Sequence, residues 1–289
     1  MKDMTFHQPR TIDAALKLLA SHEDARPLAG GATLVAMMNA GLAEPPVLVS
    51  LRNIRELKAV STLPDGGLRL GAMRKHREVA GEKRLKGGLE LLREAAALIA
   101  VPPVRNMGTL GGATAFADPA ADYPPSLVAL GATLELASAQ GRRIVKAADF
   151  FVDWYVSMLE PGEMITAITL PAQPMGSVGV YDKLAKVTGD LAIVSIALVL
   201  AMENGVCSHL SVALGGCGPK PVVALDEQAA QIGKPINADS VERLGQALAK
   251  AADPVDDVRA SSEYRRLVIP RMLAKTIARA VSPRKERRS

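Results

Sequence analysis

Val104-Arg105-Asn106-Met107-Gly108-Thr109-Leu110-Gly111-Gly112-Ala113-Thr114-Ala115-Phe116-Ala117-Asp118-Pro119-Ala120-Ala121-Asp122-Tyr123-Pro124-Pro125 is the stretch on which the reading of this chain turns. Gly108, Gly111 and Gly112 stand among small and hydroxylated residues. Glycine admits φ > 0 and lets a ligand approach where a Cβ would block it. Successive turns of this kind can aim several N–H groups at one anion. Thr109 and Thr114 add hydroxyls that donate and accept. Asp118 and Asp122 follow, with Pro119 stiffening the turn between them. As one loop, the stretch offers amides for a phosphate and carboxylates for sugar hydroxyls or amides, which is what a nucleotide asks for. The competing reading is a tight turn between two buried strands, because a lone glycine pattern is weak evidence.

A second glycine loop lies upstream, in Arg26-Pro27-Leu28-Ala29-Gly30-Gly31-Ala32-Thr33-Leu34-Val35. It reads as a short strand, paired glycines, a hydroxyl and a helix through Met37 and Met38. Unpaired amides where a helix opens suit a pyrophosphate. The pattern is neither a Rossmann Gly-x-Gly-x-x-Gly nor a P-loop, which ends in Lys-Ser/Thr.

Around these loops the chain reads as α+β. Thr11 caps a helix with Asp13 in its first turn. Val47–Leu51 is a buried strand, and Asp65-Gly66-Gly67 turns into a strand at Leu68. Leu89–Ala100 is a helix with Leu89, Leu92, Ala96 and Ile99 on one face, stopped by Pro102-Pro103. Leu127–Ala137 and Arg143–Val145 read as strands, Asp149-Phe150-Phe151 as the start of a loop, and Met164–Leu170 as a strand. Beyond Gly176 come Gly179–Lys186, the apolar run Ile193–Met202, an Asn204-Gly205 hairpin turn and the strand Leu210–Leu214. Helices around Ser240–Ala251 and Ser261–Ala280 close an α+β layer.

With 289 residues, 48% of them hydrophobic, the chain has material for two or three compact units. Aromatics are only 3%, which argues against a base-stacking nucleic-acid platform. Part of the net charge of +5 sits in Arg284–Arg288, read as a solvated tail. Cys207 and Cys217 are the only cysteines, and reduced thiols of a cytoplasmic protein are the simpler reading. The start Met1–Phe6 has no signal-peptide h-region. Leu191–Met202 is shorter than the roughly 18 apolar residues of a membrane span, so no membrane insertion is expected. An iron–sulfur cluster takes four cysteines, or two with two histidines, and Cys207 and Cys217 are not in a paired ligand motif. The four histidines show no zinc spacing, and no Gly-x-Ser-x-Gly elbow is present. No residue is therefore nominated as catalytic or metal-binding.

Taken together, five motifs in order make the chain similar to a known family. They are Leu28–Leu34, Val104–Gly112, Ala117–Pro125, Tyr181-Asp182-Lys183-Leu184 and Leu214-Gly215-Gly216-Cys217-Gly218-Pro219. The chain resembles, from about Phe6 to Ala280, the FAD-binding medium subunit of the molybdenum hydroxylases, the family of carbon monoxide dehydrogenase and xanthine dehydrogenase. The resemblance implies a two-subdomain flavin fold of the vanillyl-alcohol-oxidase type over residues 1–58 and 59–175, then a C-terminal α+β domain over 176–289. It implies FAD as cofactor. Leu28, Ala29, Gly30, Gly31, Ala32, Thr33 and Leu34 would hold its pyrophosphate. Thr109, Gly111, Gly112, Ala115, Asp118 and Asp122 would lie along the ribityl and diphosphate, Ile99 and Ala100 would approach the ring, and Lys183 would stand near the flavin. Ile99 as plain core and Lys183 as a surface lysine are the alternatives.

The resemblance further implies an electron relay. A [2Fe–2S] small subunit and a molybdopterin large subunit would complete a heterotrimer, doubled to (αβγ)2. An outside acceptor (NAD, a quinone, a cytochrome or O2) would take the electrons. Ala32 and Ala113 depart from the pattern, standing where relatives often carry His or Gln and Asn. They motivate one rival, a non-catalytic assembly protein on a degenerate flavin fold. The other rival is a stand-alone FAD oxidoreductase. A nucleic-acid role from the pI near 9.2 is the most distant reading.

Overall fold

A computed structural model describes residues 4–282. Met1–Asp3 and the basic segment Arg284–Arg288 lie outside the described residues. The first layer is β1 (Thr5–His7), α1 (Ile12–Ser21), β2 (Arg26–Leu28), α2 (Leu34–Asn39) and β3 (Val47–Ser50). Its sheet runs β1-β3-β2 and is parallel throughout. The Thr11 hydroxyl accepts from the amide of Ala14 and so caps α1. Ala15, Leu16 and Leu19 of that helix pack on Val47 and Val49.

The second layer holds β4 (Val60–Thr62), β5 (Leu68–Gly71), α3 (His76–Ala80), α4 (Glu90–Leu98), α5 (Pro102–Met107), α6 (Leu110–Phe116), α7 (Tyr123–Ala129), β6 (Thr133–Ser138), β7 (Gly141–Lys146), α8 (Ala147–Phe150), β8 (Phe151–Asp153), β9 (Val156–Ser157) and β10 (Met164–Leu170). The main sheet is antiparallel in the order β4-β5-β10-β6-β7, and β8 and β9 pair separately.

Here the structure corrects the sequence reading. The stretch from Val104 to Pro125 is neither one loop nor a turn between strands. It contains most of α5, all of α6 and the start of α7. Prolines near the N-termini of α5 and α7 favour helix rather than stop it, because the first-turn amides need no partner and φ is already set. Leu127–Ala129 completes α7, so only Thr133 onward is strand. α4 ends at Leu98, two residues before the expected stop, with Ile99 extended and Ala100 at φ 42°. Asp149-Phe150-Phe151 spans the end of α8 and the start of β8 rather than opening a loop.

The third layer is β11 (Val178–Leu184), β12 (Val194–Glu203) and β13 (Val206–Gly215), antiparallel, followed by α9 (Leu225–Gln231), α10 (Ala238–Ala251) and α11 (Ser262–Val281). Asn204 and Gly205 turn β12 into β13 with φ 51° and 82°, as a two-residue hairpin requires. The helix α9 had no counterpart in the sequence reading. Tyr181, Ala197, Val199 and Ala213 face the core shared with α4 and α7. Val180, Ile196, Leu198, Val212 and Leu214 face α10 and α11. The sheet is thus covered on both sides, which is why Ile193–Met202 reads as apolar sequence broken only by Ser195, itself buried.

Arg279 of α11 fastens the third layer to the second. It donates to Glu94 of α4 at 2.6 Å, to the Asp182 carboxylate at 2.7 Å and to the Tyr181 carbonyl at 3.1 Å. The substitution R279M keeps the aliphatic stem and removes all three bonds. It lowers stability by about 1–3 kcal/mol, measured as a shift in the urea midpoint; no shift would mean that this junction carries none of the stability.

Candidate functional site

Glycines bring the two glycine loops into contact. A Cβ on Gly30 would collide with the Met107 carbonyl and lie 2.9 Å from the Gly108 Cα. One on Gly112 would lie 3.3 Å from the Ala29 Cβ, and one on Gly111 would overlap Ala72 at the end of β5. Gly30 serves backbone-to-backbone contact, while Gly111 and Gly112 let Ala72, Thr109 and Ala29 pack close. Gly31, at φ 80°, serves the turn.

The two loops differ in the state of their amides. Among the described residues, none of the amides of Ala29, Gly30, Gly31, Ala32, Thr33 and Leu34 donates to a protein acceptor. In the other loop Leu110 donates to the Arg74 carbonyl at 2.8 Å, Gly111 to the Ala72 carbonyl at 2.8 Å, and Gly112 to Thr109 Oγ1 at 3.1 Å. The expectation that the Val104–Pro125 stretch offers a nest of amides is therefore corrected at Gly111 and Gly112, whose amides and that of Leu110 are taken by the segment after β5 and by the Thr109 hydroxyl. Thr114 is spent too, donating from Oγ1 to the Leu110 carbonyl.

Between the loops lies a cleft of about 1170 Å³. Leu28, Ala29, Gly30, Gly31, Ala32, Thr33, Leu34, Ile99, Ala100, Thr109, Gly111, Gly112, Ala115, Asp118 and Asp122 all line it. Lys183 does not; its Nζ donates to Asp122 Oδ1 at 2.9 Å and to the Leu98 carbonyl at 2.8 Å. With a side chain 5% exposed it is not a surface lysine. Tyr181 donates to the same Asp122 oxygen at 2.7 Å. Burial pushes the Asp122 carboxyl up, while the Lys183 ammonium and the Tyr181 hydroxyl pull it down. Asp118 accepts from the Ala120 amide in a tight turn; burial raises its carboxyl as well, against that bond and the Arg259 charge.

Sequence reasoning missed His76 and Tyr123, two more cleft residues, joined Nδ1 to hydroxyl at 2.9 Å. The pair spans 47 positions, so no local pattern announces it. Burial, aided by the Arg105 charge, holds His76 at about 4, well below its ordinary range. Its imidazole is neutral at pH 7.

Residues 2–173 match the family described as FAD binding domain in molybdopterin dehydrogenase, and residues 179–280 match the CO dehydrogenase flavoprotein C-terminal domain. The chain belongs to the FAD-binding medium subunits of the molybdenum hydroxylases. It is 37% identical to the carbon monoxide dehydrogenase medium chain of Afipia carboxidovorans, covering 95% of this chain and 96% of that one. It is 34% identical to the glyceraldehyde dehydrogenase medium chain of Sulfolobus acidocaldarius, covering 92% and 94%. Among solved structures, carbon monoxide dehydrogenase from Hydrogenophaga pseudoflava superposes with a TM-score of 0.92 at 33% identity, over 96% of each chain. The medium subunit is thus an oxidoreductase component and its cofactor is FAD.

The cleft fits that cofactor. It exceeds the roughly 300–1,000 Å³ of common small-molecule pockets. One wall carries six successive amides without internal acceptors, suited to a diphosphate. Leu51, Met73, Ile99, Phe116, Leu159 and Ile165 supply apolar wall for rings.

Two outcomes follow from this geometry. An unfolded chain protonates its histidines near pH 6.5, and folded His76 does so only near 4. The stability that neutral His76 contributes is complete above 6.5 and is lost as the pH falls toward 4, by about 3 kcal/mol. H76N removes this part of the acid sensitivity, read as the wild-type minus variant difference in urea midpoints between pH 4 and 7; a constant difference would refute it. K183M leaves Asp122 buried without its cation and costs about 3–5 kcal/mol, visible as a lowered Tm.

Proposed function

We propose that this medium subunit is the flavin relay of a multi-subunit molybdenum hydroxylase. It takes electrons from the [2Fe–2S] clusters of a small partner and delivers them to an acceptor outside the complex. The observation that carries the reading is the row of free amides along a dinucleotide-sized cleft, in a chain whose two cysteines form no paired ligand motif. The relatives' designation as medium chains supports the partners, a small subunit and a molybdopterin large subunit in an (αβγ)2 assembly. Both cysteines are free and buried, which agrees with a reducing cytoplasm.

In this reading the amides from Ala29 to Leu34 hold the diphosphate, with Leu28 ending the strand that presents them. Thr109, Gly111, Gly112 and Ala115 form the facing wall, where small side chains admit the ribityl chain. Asp118 and Asp122 accept from its hydroxyls. Ile99 and Ala100 wall the ring, and Lys183 acts at one remove by neutralising Asp122. FAD supplies the redox step itself, and the chain binds, orients and shields it. Ala32 and Ala113 leave that stretch of wall apolar, so holding falls to backbone donors. The acceptor is NAD, a quinone, a cytochrome or O2.

The test is the visible spectrum of the purified chain after reconstitution with FAD, with the released cofactor identified by chromatography. A flavin spectrum with about one FAD per chain, no substrate turnover alone, and capture of the two partner subunits from co-expression are expected. Turnover without partners would favour a stand-alone oxidoreductase. A colourless protein that refuses FAD even with its partners would favour an assembly role.

A further inference from the structure

The exit of α4 is held by two cations from different elements. Lys183 of β11 binds the Leu98 carbonyl. Arg105 of α5 reaches back and donates from one nitrogen to the Ile99 carbonyl at 2.7 Å and to the Ala100 carbonyl at 2.6 Å. Ala100 is left-handed there, at φ 42°, a conformation that a residue with a Cβ adopts only at a cost. From the C-terminal side Gly189, at φ 93°, closes on the same carbonyl; a Cβ on it would lie 2.9 Å from the Ala100 oxygen. A strained turn pinned from two directions is over-determined, which marks it as more than a chain connection.

The amides of this turn are free. Among the described residues, those of Ala100 and Val101 donate to no protein acceptor. All described peptide bonds are trans, so each carbonyl and the amide that follows it point in opposite directions. With the Ile99 and Ala100 carbonyls both drawn to Arg105, the amides of Ala100 and Val101 are turned away from Arg105. Ile99 and Ala100 line the cleft and Arg105 does not.

We propose that Arg105 is a positioning residue, which holds these two carbonyls so that two consecutive backbone amides are presented to the cleft as donors to the acceptor edge of the flavin ring. This rests on the reading that the ring lies along Ile99 and Ala100. Donors fixed in advance favour negative charge arriving on the group they face. Arg105 therefore sets the reduction potential of the bound cofactor without touching it.

The experiment uses the full chain loaded with FAD, comparing wild type, R105K and R105M. R105M is expected to keep its far-ultraviolet circular dichroism, raise the FAD Kd about tenfold, and move the reduction potential negative, with R105K between. Amide hydrogen exchange adds a readout independent of potential: FAD protects Ala100 and Val101 in the wild type and fails to do so in R105M. If R105M does not fold, R105K and the wild-type exchange data carry the test, and absence of FAD protection at both amides overturns the proposal. A lowered Tm with potential, band shape and exchange unchanged would reduce Arg105 to a helix cap and overturn it too. A wild type that binds no FAD overturns instead the reading of the cleft.

Discussion

Two backbones touch where the Gly30 Cα meets the carbonyl of Met107, and the cleft is the consequence. The contact has no space for a side chain on the glycine. It fixes the loop after β2 against the end of α5, and in the first turn of α6 a Cβ on Gly112 would press on Ala29 at 3.3 Å. Held there, α6 begins beside the end of β5, and its first amides find the carbonyls of Ala72 and Arg74. The loop after β2 meets the Met107 carbonyl with the Gly30 Cα rather than with an N–H, and its amides stay open. One steric fact thus sorts two similar glycine sequences into a structural one and one free to bind.

A second dependence is electrostatic. Asp122, at the head of α7, is buried, and a buried carboxylate is tolerable only when paired and hydrogen-bonded. Its partners, Lys183 and Tyr181, both come from β11. A residue at the cleft is in this way made to depend on the C-terminal sheet, and the same strand's Asp182 meets Arg279 on the far side. Alternate residues of β11 point to opposite faces, so three consecutive residues serve a cleft carboxylate and an inter-layer ion pair.

What was legible in the sequence was local. The cap at Thr11, the Asn204-Gly205 hairpin, the strand Met164–Leu170 and both glycine pairs each announce themselves within a few residues, and most of the residues they nominated line one cleft. What was not legible has two physical causes. The helices between Pro102 and Ala129 are short and rich in glycine and proline, so intrinsic propensity argues against them; packing against β5 and the C-terminal sheet overrides it. The His76–Tyr123 and Asp122–Lys183 pairs depend on where distant segments meet, and no spacing encodes that; the hold of Arg105 on the α4 exit is local, but it depends on a left-handed Ala100 that no residue type announces.

The sheet of β11, β12 and β13 has no free face. One side is core to α4 and α7 and the other to α10 and α11. Family boundaries drawn near residues 173 and 179 separate two sequence modules, yet the hydrophobic interior runs through that boundary uninterrupted. Such modules cannot be exchanged like beads on a string. Any recombination that swaps the C-terminal segment must bring a sheet face matched to the host's α4 and α7, so the two halves are bound to diverge in concert.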